Sequence, residues 1–229
     1  MKKFSILKKK LANSSSQKLQ RILSNIKSKP SQDGITIQIL KDALPVIEEQ
    51  FLSLINESLE TGKFPESWKT FMVIPIPKIS NSKKYEDFRP VNMLPKYEQV
   101  MEYIIKSQLE EYLENNSILC DEQSGFRKNN SCETALNLVI DDWKEDIDKN
   151  LYTVAVFLDF QRAFETIDRK RVVKKFQKCG IKGKELEWFK NYLSNRQQTI
   201  KIRNNVSNPI ENMLGVPQGS VLGPILFIL

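Results

Sequence analysis

Asp159 is the residue most readily credited with chemistry. It closes Val154-Ala155-Val156-Phe157-Leu158, a continuous apolar run rich in β-formers, and such a run has the pattern of a central buried strand. An ionised carboxylate at the end of a buried strand is costly unless a partner, typically a cation, compensates it. Glu165 and Asp168 follow closely, so carboxylates gather where phosphate chemistry would want Mg²⁺. The plainer alternative is that Asp159 caps the next turn.

A second constellation is Gly215-Val216-Pro217-Gln218-Gly219-Ser220-Val221-Leu222-Gly223-Pro224, which holds three of the chain's eight glycines at four-residue intervals. Such spacing lets backbone approach a ligand closely and leads into a helix N-terminus. A Gly/Pro loop entering a buried helix would read the same way. Lys78 and Arg89 bracket a polar stretch that includes Ser80, Asn81, Ser82, Lys83 and Lys84. Arg binds phosphate bidentately and Lys acts as a point charge, although two such residues are also ordinary surface charges.

Other chemistries are excluded by what the chain lacks. It has no histidine, and Cys120, Cys132 and Cys179 are scattered, which rules out zinc fingers, His-based acid–base catalysis and Cys–His nucleophiles within it. No disulfide framework is suggested, so a reducing intracellular compartment is expected. No apolar run approaches the roughly 18 residues a membrane span needs; Val221–Leu229 is broken by Gly223 and Pro224. The net charge of +7 comes largely from residues 1–32, which hold nine Lys or Arg and no acid. Residues 1–30 therefore read as a basic, poorly ordered N-terminal arm, with a phosphate-binding tether or a presequence as alternatives.

The elements that must position these residues follow from periodicity. A helix is expected through Ile47, Phe51, Leu54, Ile55 and Leu59, with Pro45 in its first turn and Gly62 as its stop. Phe71–Pro77 is β-like, and Pro75 and Pro77 confine it to an edge or an irregular ribbon, continuing as a hairpin with a basic tip. Further helices are expected over Leu94–Leu113, Thr134–Trp143, from Arg169 to a stop at Gly180, and over Gly183–Leu193. Gln198–Arg203 alternates as a strand, with Asn204-Asn205 turning into Pro209–Leu214. At 229 residues one good core is possible, and this mixture favours an α+β fold.

Taken in order, these segments resemble the palm motifs of reverse transcriptases: Asp-x-x-x-Ala-Phe at Asp159–Phe164, then Gly-x-Pro-Gln-Gly-Ser some fifty residues later. Upstream, Phe64-Pro65-Glu66-Ser67-Trp68-Lys69, Ile74-Pro75-Ile76-Pro77-Lys78, Phe88-Arg89-Pro90-Val91 and Gln123-Ser124-Gly125-Phe126-Arg127-Lys128 are particularly similar to non-LTR (LINE-type) retrotransposons. Each piece alone is weak; the ordered set, covering residues 31–229, is strong.

The resemblance implies a partial right-hand polymerase, comprising fingers and the first part of the palm. It implies RNA-templated DNA synthesis with Mg²⁺, or Mn²⁺ in its place, acting on an RNA template, a DNA primer and deoxynucleoside triphosphates, with no membrane partner. By the same resemblance Asp159 is the metal-binding aspartate and Phe160 offers a backbone carbonyl to the metal. Phe164 is the aromatic gate under the sugar, Gln218 and Gly219 line the incoming nucleotide and template, and Lys78 and Arg89 clamp the triphosphate. Glu165 stands where the family usually has Asp, and the Tyr/Phe-x-Asp-Asp hairpin that completes the family's two-metal site does not occur, so the chain alone is expected to be inactive. A nuclear location is the family's expectation. Rival readings are a group II intron maturase and a non-catalytic RNA-binding remnant.

Overall fold

The computed structural model describes residues 15–26, 31–82 and 84–229. Among these described residues, seven α-helices and one mixed sheet make an α+β fold, as expected. The helices are α1 Ser15–Asn25, α2 Ile37–Thr61, α3 Lys96–Asn115, α4 Cys132–Asp148, α5 Arg169–Lys178, α6 Gly183–Leu193 and α7 Gly223–Ile228. The strands are β1 Thr70–Pro77, β2 Phe88–Met93, β3 Gln197–Ile202, β4 Asn205–Val206 and β5 Ile210–Glu211.

The main core lies among α1, α2, α3, α5 and α6. Val100, Ile104, Ile105, Leu109 and Leu113 of α3 are buried, as their helical spacing requires. Phe64 is set edge-on between Trp188 at 5.7 Å and Tyr192 at 5.2 Å, and its N–H donates to Asn191 Oδ1. Those contacts hold the end of α2 against α6. A smaller cluster of Phe71, Val73 and Leu94 underlies the sheet.

Sheet order is β2-β1-β3-β4, with β5 also pairing β3. β1 and β2 form the expected antiparallel hairpin, with Pro75 opposite Pro90 and Ile76 opposite Arg89; Lys83, near its tip, lies outside the described residues. β1 is not an edge strand, because β3 runs parallel along Thr70–Val73. Its prolines fall beyond that pairing, in the half bonded to β2 alone, so the donors they lack are not missed.

Other expectations need correction. Thr36 caps α2 by accepting from the Ile39 N–H, so the helix starts early and Pro45 lies inside it; Gly62, at φ +70°, ends it as foreseen. The hairpin turn after β3 is Arg203-Asn204, since Ile202 faces Asn205. The arm is no tail over residues 15–26: α1 buries Leu19 and Leu23 in the main core, and Ile26, just past its end, is buried there too. Residues 1–14 and 27–30 of the arm lie outside the described residues.

The largest correction concerns Val154–Leu158. It forms no strand, and Val156, Phe157 and Leu158 are 78%, 87% and 84% exposed. A buried strand needs neighbours for its backbone donors and acceptors as well as an apolar sequence, and no strand of the sheet lies beside this one. The preceding α4 is helical but buries no residue, so Leu136, Leu138 and Ile147 are exposed too.

Candidate nucleotide site

Asp159 lies at the end of this exposed segment, just before a turn over residues 161–166 in which Arg162 takes the left-handed region at φ +55°. The Asp159 carboxylate is exposed and makes no ion pair or hydrogen bond with another described residue. Its expected companions have other work. Glu165 lies 4.0 Å from Arg162 Nε, and Asp168 caps α5 by accepting from the Lys170 and Arg171 N–H groups. Among the described residues no group of three or more His, Cys, Asp or Glu could hold a metal ion, which corrects the expected carboxylate cluster. Asp159 and the Phe160 carbonyl supply too few ligands for a complete Mg²⁺ site.

The aromatic residues of the turn are better placed. Phe164 is half-buried, its ring centroid 6.0 Å from Phe126 and 5.4 Å from Phe227. Phe160, largely exposed, approaches Phe227 at 6.4 Å. A short aromatic row thus joins the turn to α7.

Backbone hydrogen bonds fasten the glycine loop to this turn. Val216 N–H donates to Phe164 O at 2.9 Å and Gly215 N–H to Ile167 O at 2.8 Å. Gly215 has φ +72°, and a Cβ there would stand 2.6 Å from the carbonyl oxygens of both Phe164 and Glu165; only glycine permits the approach. On its other side the loop meets β2, where Asn92 N–H donates to Gln218 O at 3.1 Å. Gly219 is exposed, with φ +112°. A cavity of about 430 Å³ opens here, lined by Asn92, Glu165, Gln198, Val216 and Gln218 among others.

The hairpin supplies the basic residues. Lys78 follows β1, its Nζ donating to Glu86 O at 2.8 Å, and Arg89 sits exposed on β2. The Arg162 guanidinium lies over the Tyr85 ring at 5.8 Å, so the hairpin tip reaches the Asp159–Phe164 turn. The structure therefore fastens the turn that carries Phe164 to the loop that carries Gln218 and Gly219 and brings the hairpin that carries Lys78 and Arg89 to the same turn; of these residues Gln218 alone lines the cavity, and Phe160 meets the group only through Phe227.

Two supports escaped sequence reasoning. Arg169 of α5 donates to Gly215 O at 2.7 Å, Asn212 O at 2.6 Å and Leu214 O at 3.2 Å, and also to Asn212 Oδ1. Burial and the nearby Arg196 depress its pKa to about 10. Nothing in its local sequence distinguishes it from its basic neighbours.

Beneath the loop lies a buried ionic cluster. Arg196 donates twice to Glu98 Oε1 at 3.0 Å and lies 4.3 Å from the Tyr192 ring centroid. Glu102 accepts from Tyr192 Oη and, at 2.6 Å, from the Val221 N–H that follows the loop. Burial raises both carboxyl pKa values, that of Glu98 to about 8, against the pull of Arg196. One guanidinium faces two buried carboxylates, so both are held above the ordinary carboxylate range. Glu98 and Glu102 fall within the apolar stripe of α3, and a carboxylate in such a stripe is the signal that could have found them.

The chain matches the family described as reverse transcriptase (RNA-dependent DNA polymerase) over residues 76–229, and it belongs to that family. It is 32% identical over 204 residues to the probable RNA-directed DNA polymerase from transposon BS of Drosophila melanogaster, a match covering 88% of this chain and 22% of that protein. With the RNA-directed DNA polymerase from mobile element jockey of the same fly it shares 30% identity over 204 residues, with the same coverage. A putative COX1/OXI3 intron 1 protein of Saccharomyces cerevisiae is 25% identical over 208 residues, 89% of this chain and 22% of that protein. The chain thus spans about a fifth of the length of these relatives. The mobile-element relatives support the non-LTR, LINE-type branch. Members of the family generally use divalent metal ions such as Mg²⁺. Among the described residues, no helix is long and apolar enough to cross a membrane.

Proposed function

We propose that this chain forms the incoming-nucleotide site of an RNA-templated DNA polymerase, as the fingers and first part of the palm of a right-hand fold. The reaction is attack of a primer 3′-hydroxyl on the α-phosphate of a deoxynucleoside triphosphate, releasing pyrophosphate. The partners are an RNA template and a DNA primer. The observation that carries the reading is the double fastening of the glycine loop, to the Phe164 turn through Val216 and Gly215 and to β2 through Gln218. Segments distant in sequence are thereby fastened together, and Asn92, Glu165, Val216 and Gln218 from them line one cavity.

Lys78 and Arg89 bind the triphosphate from the hairpin, Lys78 exchanging the Glu86 carbonyl for phosphate. Gln218 and Gly219 line the base and template side. Phe164, held between Phe126 and Phe227, presents its ring beneath the sugar and excludes a 2′-hydroxyl by bulk. Asp159 and the Phe160 carbonyl would hold a divalent cation, which would stabilise charge on the transferring phosphate. Likeness to the yeast intron protein at 25% identity keeps an intron-encoded, maturase-type enzyme as a second reading.

The test is Phe164→Val in a polypeptide that continues this chain with the downstream region of the transposon BS protein. Incorporation efficiency is compared for ribo- and deoxynucleotides. The gate requires the ratio to shift towards ribonucleotides. A parallel fall with an unchanged ratio, the signature of a damaged core aromatic, would refute it.

A further inference from the structure

Residues 169–190 carry nine basic side chains, Arg169, Lys170, Arg171, Lys174, Lys175, Lys178, Lys182, Lys184 and Lys190, against Glu185 and Glu187. Helical geometry does not scatter them. Val172 and Phe176 are buried beneath α5, which leaves its lysines on the outer face. Four of them, Arg169, Lys170, Lys174 and Lys190, line one cavity of about 570 Å³ beside α5 and the end of α6; Arg169 is taken up by the carbonyls of Gly215 and Asn212, which leaves the three lysines.

The rest of that cavity differs from the lysines. Val173, Leu193 and Met213 are its apolar lining, beside the amide side chains of Gln177 and Asn195. Neither Lys170 nor Lys174 forms an ion pair with a described residue, whereas Lys190 is paired with Glu187 at 2.6 Å. Glu211 is the one acidic side chain in the lining. Cationic groups, an apolar lining and amide side chains suit the three chemistries of one nucleotide: phosphate, base face and base edge. A volume of this size accommodates a single base with its sugar.

The cavity is also placed to serve the nucleotide site. Glu211 and Met213 line it and also line the cavity that holds Gln218, so the two cavities share this segment. We propose that the α5–α6 cleft is a second, accessory site for a single-stranded polynucleotide. One base lies over Val173, Leu193 and Met213, and its flanking phosphates lie on Lys170, Lys174 and Lys190. The site takes an unpaired strand because a duplex hides its base faces. It goes beyond the proposed polymerase reading and can be tested without catalysis.

Binding of the 229-residue chain to a short fluorescein-labelled unstructured strand, RNA in one arm and DNA in the other, is followed by anisotropy across a salt series. Lys170→Gln/Lys174→Gln/Lys190→Gln is compared with Lys41→Gln/Lys144→Gln/Lys201→Gln, which removes the same charge from exposed positions elsewhere, and circular dichroism checks that both are folded. The cleft variant should lower the slope of log K against log salt by about 2, some 0.7 for each of three lost phosphate contacts, on whichever strand occupies the site. The control should not change it. Equal behaviour of the two variants would overturn the site. A third variant, Met213→Asp, places a charge on the exposed part of the apolar lining; it should weaken single strands and leave the corresponding duplex unaffected, and equal loss for both would overturn the base-binding role.

Discussion

Gly215 concentrates the demands of the site on one residue, since its positive φ and its closeness to two carbonyl oxygens both forbid a side chain. Gly215→Ala should cost about 1–3 kcal/mol through backbone strain alone, read as a lower urea midpoint, with more if the Phe164 turn separates from the loop. An unchanged midpoint would mean that the loop is not fastened as described. Glu98 makes a different demand. Its folded-state pKa of about 8 exceeds the ordinary unfolded value of about 4.3, so the folded state binds the proton more tightly. Its contribution is fully present below pH 4 or so and is lost as pH rises towards 8, at up to about 1.4 kcal/mol per pH unit. Thermal melts should therefore fall between pH 5 and pH 8, and Glu98→Gln, which leaves Arg196 facing the single carboxylate of Glu102, should flatten that decline. Parallel curves for the two proteins would remove Glu98 from the account. Among these residues Gly215 was legible from its motif. Glu98, Arg169 and Arg196 were not, because their roles depend on partners brought from distant segments.

Elements differ in how much of their stability lies inside the described fold. α1 and α4 are both amphipathic, yet only α1 has a partner surface: Leu23 is 2% exposed, whereas Leu138 of α4 is 60% exposed. Leu23→Ala should destabilise by about 2–5 kcal/mol and Leu138→Ala by no more than about 0.5 kcal/mol, compared by urea unfolding. Equal costs would show that α4 packs in solution. The same contrast explains what sequence could and could not tell. Periodicity located α3, α5 and α6 closely, because their apolar stripes face a core made from each other. It misjudged Val154–Leu158, because an apolar β-rich run specifies a strand only where a neighbour offers hydrogen bonds. It read the basic residues of α1 as a tail, although Leu19, Leu23 and Ile26 sit among them at helical spacing.

For the whole molecule, the binding and catalytic requirements separate. Among the described residues the glycine loop is fastened to the Phe164 turn, but no group of three or more His, Cys, Asp or Glu stands ready to hold a metal ion, so under the proposed reading the 229-residue chain alone should not extend a primer on an RNA template. Mg²⁺- or Mn²⁺-dependent incorporation by a clean preparation would overturn that expectation. The parallel pairing of β1 with β3 joins Thr70 to Gln197 across α3, α4, α5 and α6. Such a contact must close a very long loop before it yields any stabilisation. On a ribosome working at about 5–20 residues per second, β1 emerges on the order of ten seconds before its partner. The β1–β2 hairpin must spend that interval with one side of β1 open, a nascent edge strand for which chaperones and neighbouring chains compete, so the rate of translation through residues 71–197 bears directly on the yield of native protein.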